Sequence, residues 1–185
     1  MNMMAKPSAG FRNVTVAQGE TRVSSDPEVV LVTVLGSCVA ACLFDPIAKV
    51  GGINHYLLAS GTATDSASLQ RYGVYAMELL INNMMAQGAM RKRMKARIYG
   101  GATMRSSFRD IGGENIAFAR QFLRAEGIPL VGEDVGDNCA RRVQFRAALG
   151  LARCRSVQNT AAMAPPVKKS TPIMPPVSTG DVELF

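Results

Sequence analysis

The first long pattern in the chain is apolar at nearly every position rather than at every second one. Residues Val29–Leu35 read Val-Val-Leu-Val-Thr-Val-Leu. They are β-branched-rich, which predicts a strand covered on both faces. The run ends at Gly36-Ser37-Cys38, and apolar residues resume through Phe44. Asp45-Pro46 is a strong turn signal, and a third segment follows from Lys49 to Leu58, so residues 38–58 predict a β-hairpin. Upstream, Val14-Thr15-Val16 suits a short strand ending near Gly19, and Asp26-Pro27 marks a turn. Downstream the period changes. Leu69, Tyr72, Ala76, Met77, Leu80, Ile81 and Met84 recur at helical spacing. A polar loop at 60–66 can cap that helix and Gly88 can stop it. Its methionines read as core filler. Residues 95–99 predict a strand ending at Gly100-Gly101, a pair that lets another backbone come close. Ile116, Ala119, Phe122 and Leu123 mark a second amphipathic helix after residues 110–115, stopped by Gly127 and Pro129. Strands are expected at 128–131, around Val143 and Phe145, and at 149–157.

The hairpin carries the candidate chemistry. With residues 45–48 as a four-residue loop, Phe44 faces Lys49 and, counting outward, Cys38 faces His55. Facing side chains have Cβ atoms about 4.5–5.5 Å apart, so thiol and imidazole are expected to touch unless Gly51-Gly52 forms a bulge. His55 is the only histidine in the chain. A thiol beside an imidazole can yield a thiolate, the reactive nucleophile. Backbone N–H groups around Gly36, Ser37 and Cys38 could receive an oxyanion. Asn54 is a further candidate for the substrate site, and the hydroxyls of Thr33 and Ser37 are candidates to orient His55. Such a site performs acyl transfer on an amide, thioester or ester. A zinc site from Cys38, Cys42, His55 and Cys139 is a rival reading, although Cys-x₃-Cys is not the usual knuckle spacing. A redox pair would need Cys-x-x-Cys. An esterase built on Ser37 would need Gly-x-Ser-x-Gly.

Composition narrows the setting. With 185 residues, 48% of them hydrophobic, the chain predicts one domain of about 150 residues with tails. Its boundaries are expected at 11–157, after a flexible N-terminus of residues 1–10. Residues 158–185 hold a Pro-rich run that predicts disorder. There is no apolar leader and no run long enough to span a bilayer, so a cytoplasmic chain without membrane insertion is expected, with its four cysteines reduced. The net charge of +7 concentrates at residues 91–97 and at Arg141, Arg142, Arg146, Arg153 and Arg155. A solvated surface is the plain reading of these clusters. An acidic protein partner fits the functional one better than nucleic acid, because stacking aromatics and nucleic-acid motifs are missing.

Several of these residues resemble one family. Thr33-Val34-Leu35-Gly36-Ser37-Cys38-Val39, Asp45-Pro46 and Gly51-Gly52-Ile53-Asn54-His55 are similar to the signature of the CheD chemoreceptor glutamine deamidases. Arg71-Tyr72-Gly73, Gly100-Gly101-Ala102, Ile111-Gly112 with Asn115, Asp134-Val135-Gly136, Arg141, Val143 and Phe145 extend the likeness across about residues 11–157. The family tends to have glycine where Asp137 and Ala140 stand here. The resemblance implies an α+β fold, a sandwich of mixed β-sheets flanked by helices and related to toxin deamidases. It implies a protein-glutamine amidohydrolase that converts selected glutamines on methyl-accepting chemoreceptor cytoplasmic helices to glutamate. Cys38 would be the nucleophile, His55 the acid and base, and Thr33 the residue orienting His55, with no metal or organic cofactor. CheC-type phosphatases are a second class of partner in that family, and the chain is expected to be a monomer. The alternative is a CheD-like binding module that regulates a chemotaxis partner without catalysis.

Overall fold

The computed structural model describes residues 10–58, 66–103 and 110–157, with backbone alone for 66–71. The expectations for the N-terminal segment, the polar capping loop and the Pro-rich tail therefore fall outside the described residues, apart from Gly10 at the edge of the first and Ser66 at the end of the second. The strands are β1 (Arg12–Thr15), β2 (Thr21–Ser24), β3 (Val29–Leu35), β4 (Val39–Asp45), β5 (Val50–Asn54), β6 (Lys95–Gly100), β7 (Leu130–Val135), β8 (Ala140–Arg146) and β9 (Leu151–Val157). The helices are α1 (Ser66–Ala86) and α2 (Ile111–Ala125).

Two mixed sheets form. One has the order β1-β3-β8-β9 and the other β2-β5-β4-β6-β7. They are mixed because β1 runs parallel to β3 and β6 parallel to β7, while the other pairs are antiparallel. This α+β sandwich with flanking helices is the expected fold class. One apolar cluster lies between the sheets and holds Leu31, Leu35, Cys38, Cys42, Ile53, Val143 and Phe145. A second lies between the five-stranded sheet and the helices, where Met77, Leu80, Ile81 and Met84 meet Leu43, Ile98 and Leu123. Each such side chain gains roughly 1.5–3 kcal/mol by leaving water. Because β4 sits between the two clusters, all seven of its residues are buried, as an apolar run without alternation requires.

The elements follow their local chemistry. Asp110 caps α2 by accepting the N–H of Gly113 at 3.0 Å, so the helix begins five residues before the first position of its apolar stripe. β2 is missing from the sequence reading because Thr21-Arg22-Val23-Ser24 offers a single apolar residue. β7 starts two residues later than expected. The hairpin also departs from expectation. Its loop has the expected length but begins one residue later, so Asp45 pairs with Val50 and Phe44 with Gly51. The ladder runs through Gly51 and Gly52 without a bulge. These glycines serve close approach instead: a Cβ on Gly51 would lie 2.3 Å from the Ala147 carbonyl oxygen, and one on Gly52 would lie 2.7 Å from Leu80 Cδ1.

The charge clusters divide. Arg91 pairs with Glu78 and Glu126, and Arg93 with the buried carboxylate of Asp45, so much of the 91–97 cluster is bound internally. Arg141 is buried and bonds Asp134 at 2.7 Å and Asp137 at 3.2 Å. Asp137 has φ 56°, a backbone region that suits glycine. Arg142, Arg146, Arg153 and Arg155 behave differently. The β3–β8–β9 register sets them, with Val30, Val32 and Val34, on the sheet face turned away from the second sheet.

Candidate active site

The chain leaves β3 in one sheet and enters β4 in the other through Gly36-Ser37-Cys38. That crossing places Cys38 at the start of β4 and Thr33 near the end of β3. Three carbonyls of the crossing are tied down. Gly36 accepts the N–H of Ala102 at 2.8 Å, Cys38 accepts the N–H of Gly101 at 2.7 Å, and Ser37 accepts Asn115 Nδ2 at 2.9 Å. The glycine pair at 100–101 is what lets β6 reach this loop, since a Cβ on Gly100 would lie 2.2 Å from the Cys38 oxygen. Both glycines have positive φ, 101° and 69°, where a side chain would be strained. In a trans peptide the carbonyl and the next N–H point opposite ways. The N–H groups of Ser37 and Cys38 are therefore turned away from Ala102 and Asn115.

Asn115 is a residue to which sequence reasoning gave no role. It is fully buried. Besides holding Ser37, its Oδ1 accepts the N–H of Leu58 at 2.9 Å, and its carbonyl accepts the Tyr56 hydroxyl at 3.2 Å. The signal was there, because an asparagine in the first turns of an apolar helix face has to find partners when buried.

His55 follows β5 and lies between the sheets, only 7% exposed. Thr33 Oγ1 donates to the Val16 carbonyl at 2.7 Å and lies 2.9 Å from His55 Nδ1. A hydroxyl has one proton. With that proton on Val16, the one shared with the ring must come from Nδ1. Nδ1 is also 3.5 Å from the Val16 oxygen, a second acceptor for the same proton. The neutral ring is then the Nδ1–H tautomer, and Nε2 is the basic nitrogen. Among the described residues Nε2 is buried without a hydrogen-bond partner. Burial lowers the imidazole's pKa below the ordinary histidine value, only partly offset by the Val16 carbonyl.

Cys38 is not directly opposite His55. Val39 and Tyr56 exchange hydrogen bonds at 3.0 and 2.9 Å. That register sets Ala40 opposite His55 and makes Cys38 its diagonal neighbour. The shift from the expected pairing is two residues, and side chains alternate faces with period two. Thiol and imidazole thus keep the same face, but not the direct contact expected of facing residues. The Sγ instead meets Gln18 Oε1 at 3.5 Å. Burial pushes the thiol up to about 11, against the lowering effect of its own backbone N–H. Cysteine and histidine are both neutral here, a thiol with a base near it rather than a preformed ion pair.

The remaining candidates separate clearly. Gly36 and Ser37 belong to the loop around the thiol. Asn54 lies on the helix side of its sheet. Its Oδ1 accepts the N–H of Ala41 at 2.9 Å, and its Nδ2 donates to the Ala76 carbonyl at 3.2 Å. It fastens β5 to β4 and α1, and this removes it from the groups facing Cys38. Cys42 is buried within β4, while Cys139 Sγ meets Ser156 Oγ at 3.7 Å in the other sheet. Among the described residues no three of His, Cys, Asp and Glu are gathered as a metal ion would need.

A family model described as CheD chemotactic sensory transduction matches residues 57–156. That stretch includes Asn115 and Arg141 and begins just after His55. A protein of Zymomonas mobilis named "Probable chemoreceptor glutamine deamidase CheD" is 58% identical over 177 residues, covering 95% of this chain and 93% of its own. Relatives of the same name in Caulobacter sp. strain K31 and Rhizobium meliloti are 49% and 44% identical, covering 98% and 96% of this chain and 97% and 98% of theirs. Among solved structures, Neisseria meningitidis protein NMB0706 is similar over 69% of this chain and 63% of its own, with a TM-score of 0.45 and 11% identity. That likeness is too distant to bear on mechanism.

Proposed function

The chain belongs to the CheD family, and from that premise we infer that it deamidates glutamine side chains of chemoreceptors in chemotaxis. It is a protein-glutamine glutaminase, a hydrolase of a linear amide, and the non-catalytic binding module is not favoured. The observation that carries the reading is the Thr33–His55 hydrogen bond of 2.9 Å, which leaves Nε2 as the base on the face that Cys38 shares.

The reaction then runs through named groups. Cys38 Sγ attacks the substrate's amide carbon as its proton passes to His55 Nε2. The carbonyl oxygen becomes an oxyanion, received by the N–H groups of Ser37 and Cys38. The imidazolium gives its proton to the departing nitrogen, ammonia leaves, and a thioester remains on Cys38. Neutral His55 then draws a proton from water, which attacks the thioester. Glutamate is released and the thiol regains its proton. Thr33 keeps the ring in the productive tautomer throughout. The route as written draws on no cofactor.

Receptor cytoplasmic helices are the substrate, and the new glutamates become sites for methylation. We place the reaction in the cytoplasm and carried out by a monomer, with a CheC-type phosphatase as a competing partner. Incubating a receptor cytoplasmic domain with the enzyme should raise the mass of its substrate peptides by about one dalton per converted glutamine and release ammonia. Cys38→Ala and His55→Ala should each abolish both signals while circular dichroism stays unchanged. Full turnover by either variant would overturn the mechanism.

A further inference from the structure

Gln18 stands on a tight turn between β1 and β2. The turn is closed by the Glu20 N–H on the Ala17 oxygen at 3.0 Å. It is also fastened to the main chain of His55 itself. Gly19 N–H donates to the His55 carbonyl at 2.7 Å, and His55 N–H donates to the Glu20 carbonyl at 3.0 Å. The residue that bonds the nucleophile is thereby held in register with the base. Gln18 is exposed, so moving its side chain outward opens no cavity in a core.

Its functional group is a primary carboxamide, the same group the enzyme hydrolyses. Gln18 Oε1 takes the Cys38 S–H at 3.5 Å, while His55 Nε2 is buried without a partner among the described residues. A substrate that is to react must bring its own carboxamide to the same sulfur. The two cannot occupy that position together. While the S–H is directed at Gln18, its proton is also not directed at Nε2.

We propose that Gln18 is a resident carboxamide occupying the substrate-glutamine subsite, and that an incoming glutamine side chain displaces it. Displacement turns the thiol proton toward His55 Nε2 and opens the sulfur to attack. Gln18 thus acts on the affinity and timing of substrate entry rather than on the chemical step. The inference extends the proposed deamidase reading and rests on it for the subsite and the kinetic test, while the hold of Gln18 on the Cys38 thiol is tested without it.

The discriminating experiment is iodoacetamide alkylation of Cys38 in the intact full-length protein, read by peptide mass spectrometry so that the other cysteines are scored separately. Gln18→Ala should raise the Cys38 rate by about threefold to tenfold, the factor to which one weak hydrogen bond converts. Gln18→Glu should lower it, because a carboxylate both accepts the S–H and repels the thiolate. With the receptor domain as substrate, Gln18→Ala should lower KM and leave kcat within about twofold of the parent. An unchanged alkylation rate in Gln18→Ala, or a fall in kcat with KM unmoved, overturns the proposal. Alkylation requires no receptor, so a parent enzyme that fails to deamidate receptors would sink the proposed function while the thiol measurement still decides whether Gln18 restrains Cys38.

Discussion

Charging His55 inside the protein is unfavourable, because burial strips water from the imidazolium and lowers its pKa. The unfolded chain therefore binds that proton at higher pH than the folded one. Stability from this group is complete above about 6.5, the ordinary histidine value, and is lost as pH falls through the lower folded value. Activity follows the same sign, since Nε2 must be bare to accept the Cys38 proton. The acid limb of kcat/KM should lie below pH ~6.5, and thermal stability should decline in the same window. Thr33→Val removes the hydroxyl that fixes the tautomer. It should lower kcat by roughly tenfold to a hundredfold and move the acid limb, with KM nearly unchanged. Thr33→Ser should restore most of the loss, and a Thr33→Val enzyme with the parent's rate and pH profile would remove Thr33 from the mechanism. That Thr33 stands near His55 is legible from the apolar run and the family likeness. The role of Val16 is not, because a main-chain carbonyl has no residue type to announce it.

At the scale of elements, the β4–β5 hairpin turns on one buried carboxylate. Asp45 accepts the N–H groups of Ile47, Ala48 and Met90 and the guanidinium of Arg93, all within 3.1 Å. Burial alone would raise its pKa, but the N–H of Met90, Arg93 and the two turn N–H groups hold it at about 2. The folded value lies below the unfolded one, so the contribution is complete above pH ~4 and disappears as pH falls toward 2. It amounts to about 2 kcal/mol. Asp45→Asn should cost about that much at pH 7 in a urea titration, and the loss should narrow at pH 3. An equal loss at both values would show that charge is not what matters. The Asp45-Pro46 signal makes the turn legible in the sequence. The register is not legible, since it depends on Met90 and Arg93, whose approach to Asp45 is a tertiary event. Gly100-Gly101 is a similar case: the pair announces a close approach, but only the fold names the Cys38 loop as the neighbour.

Across the whole molecule, both helices and most strands can be read from apolar periodicity, but their distribution between sheets cannot. Residues adjacent in sequence, β3 and β4, belong to different sheets, and β1 pairs parallel with β3, a choice no local pattern encodes. Net charge divides in the same way. Arg141 and the Arg93–Asp45 pair are drawn into the fold, while Arg142, Arg153 and Arg155 remain on the outer face of the four-stranded sheet with Arg146, whose guanidinium sits 4.4 Å over the Phe11 ring. If that face helps to draw in an acidic receptor surface, raising salt should lower kcat/KM for the receptor domain several-fold and leave a short uncharged glutamine peptide unaffected. Equal salt effects on both substrates would dissociate the arginines from recognition. The crossing from β3 to β4 also bears on the birth of the protein. Thr33 hangs from one sheet and His55 from the other, so neither half-folded sheet holds an oriented base beside the thiol. A chain still emerging from the ribosome, or one partly unfolded, lacks that oriented base and should be a poor amidase toward its own glutamines and its neighbours'. Refolding followed by stopped-flow should show amidase activity returning only with the slowest structural phase, when the two layers lock.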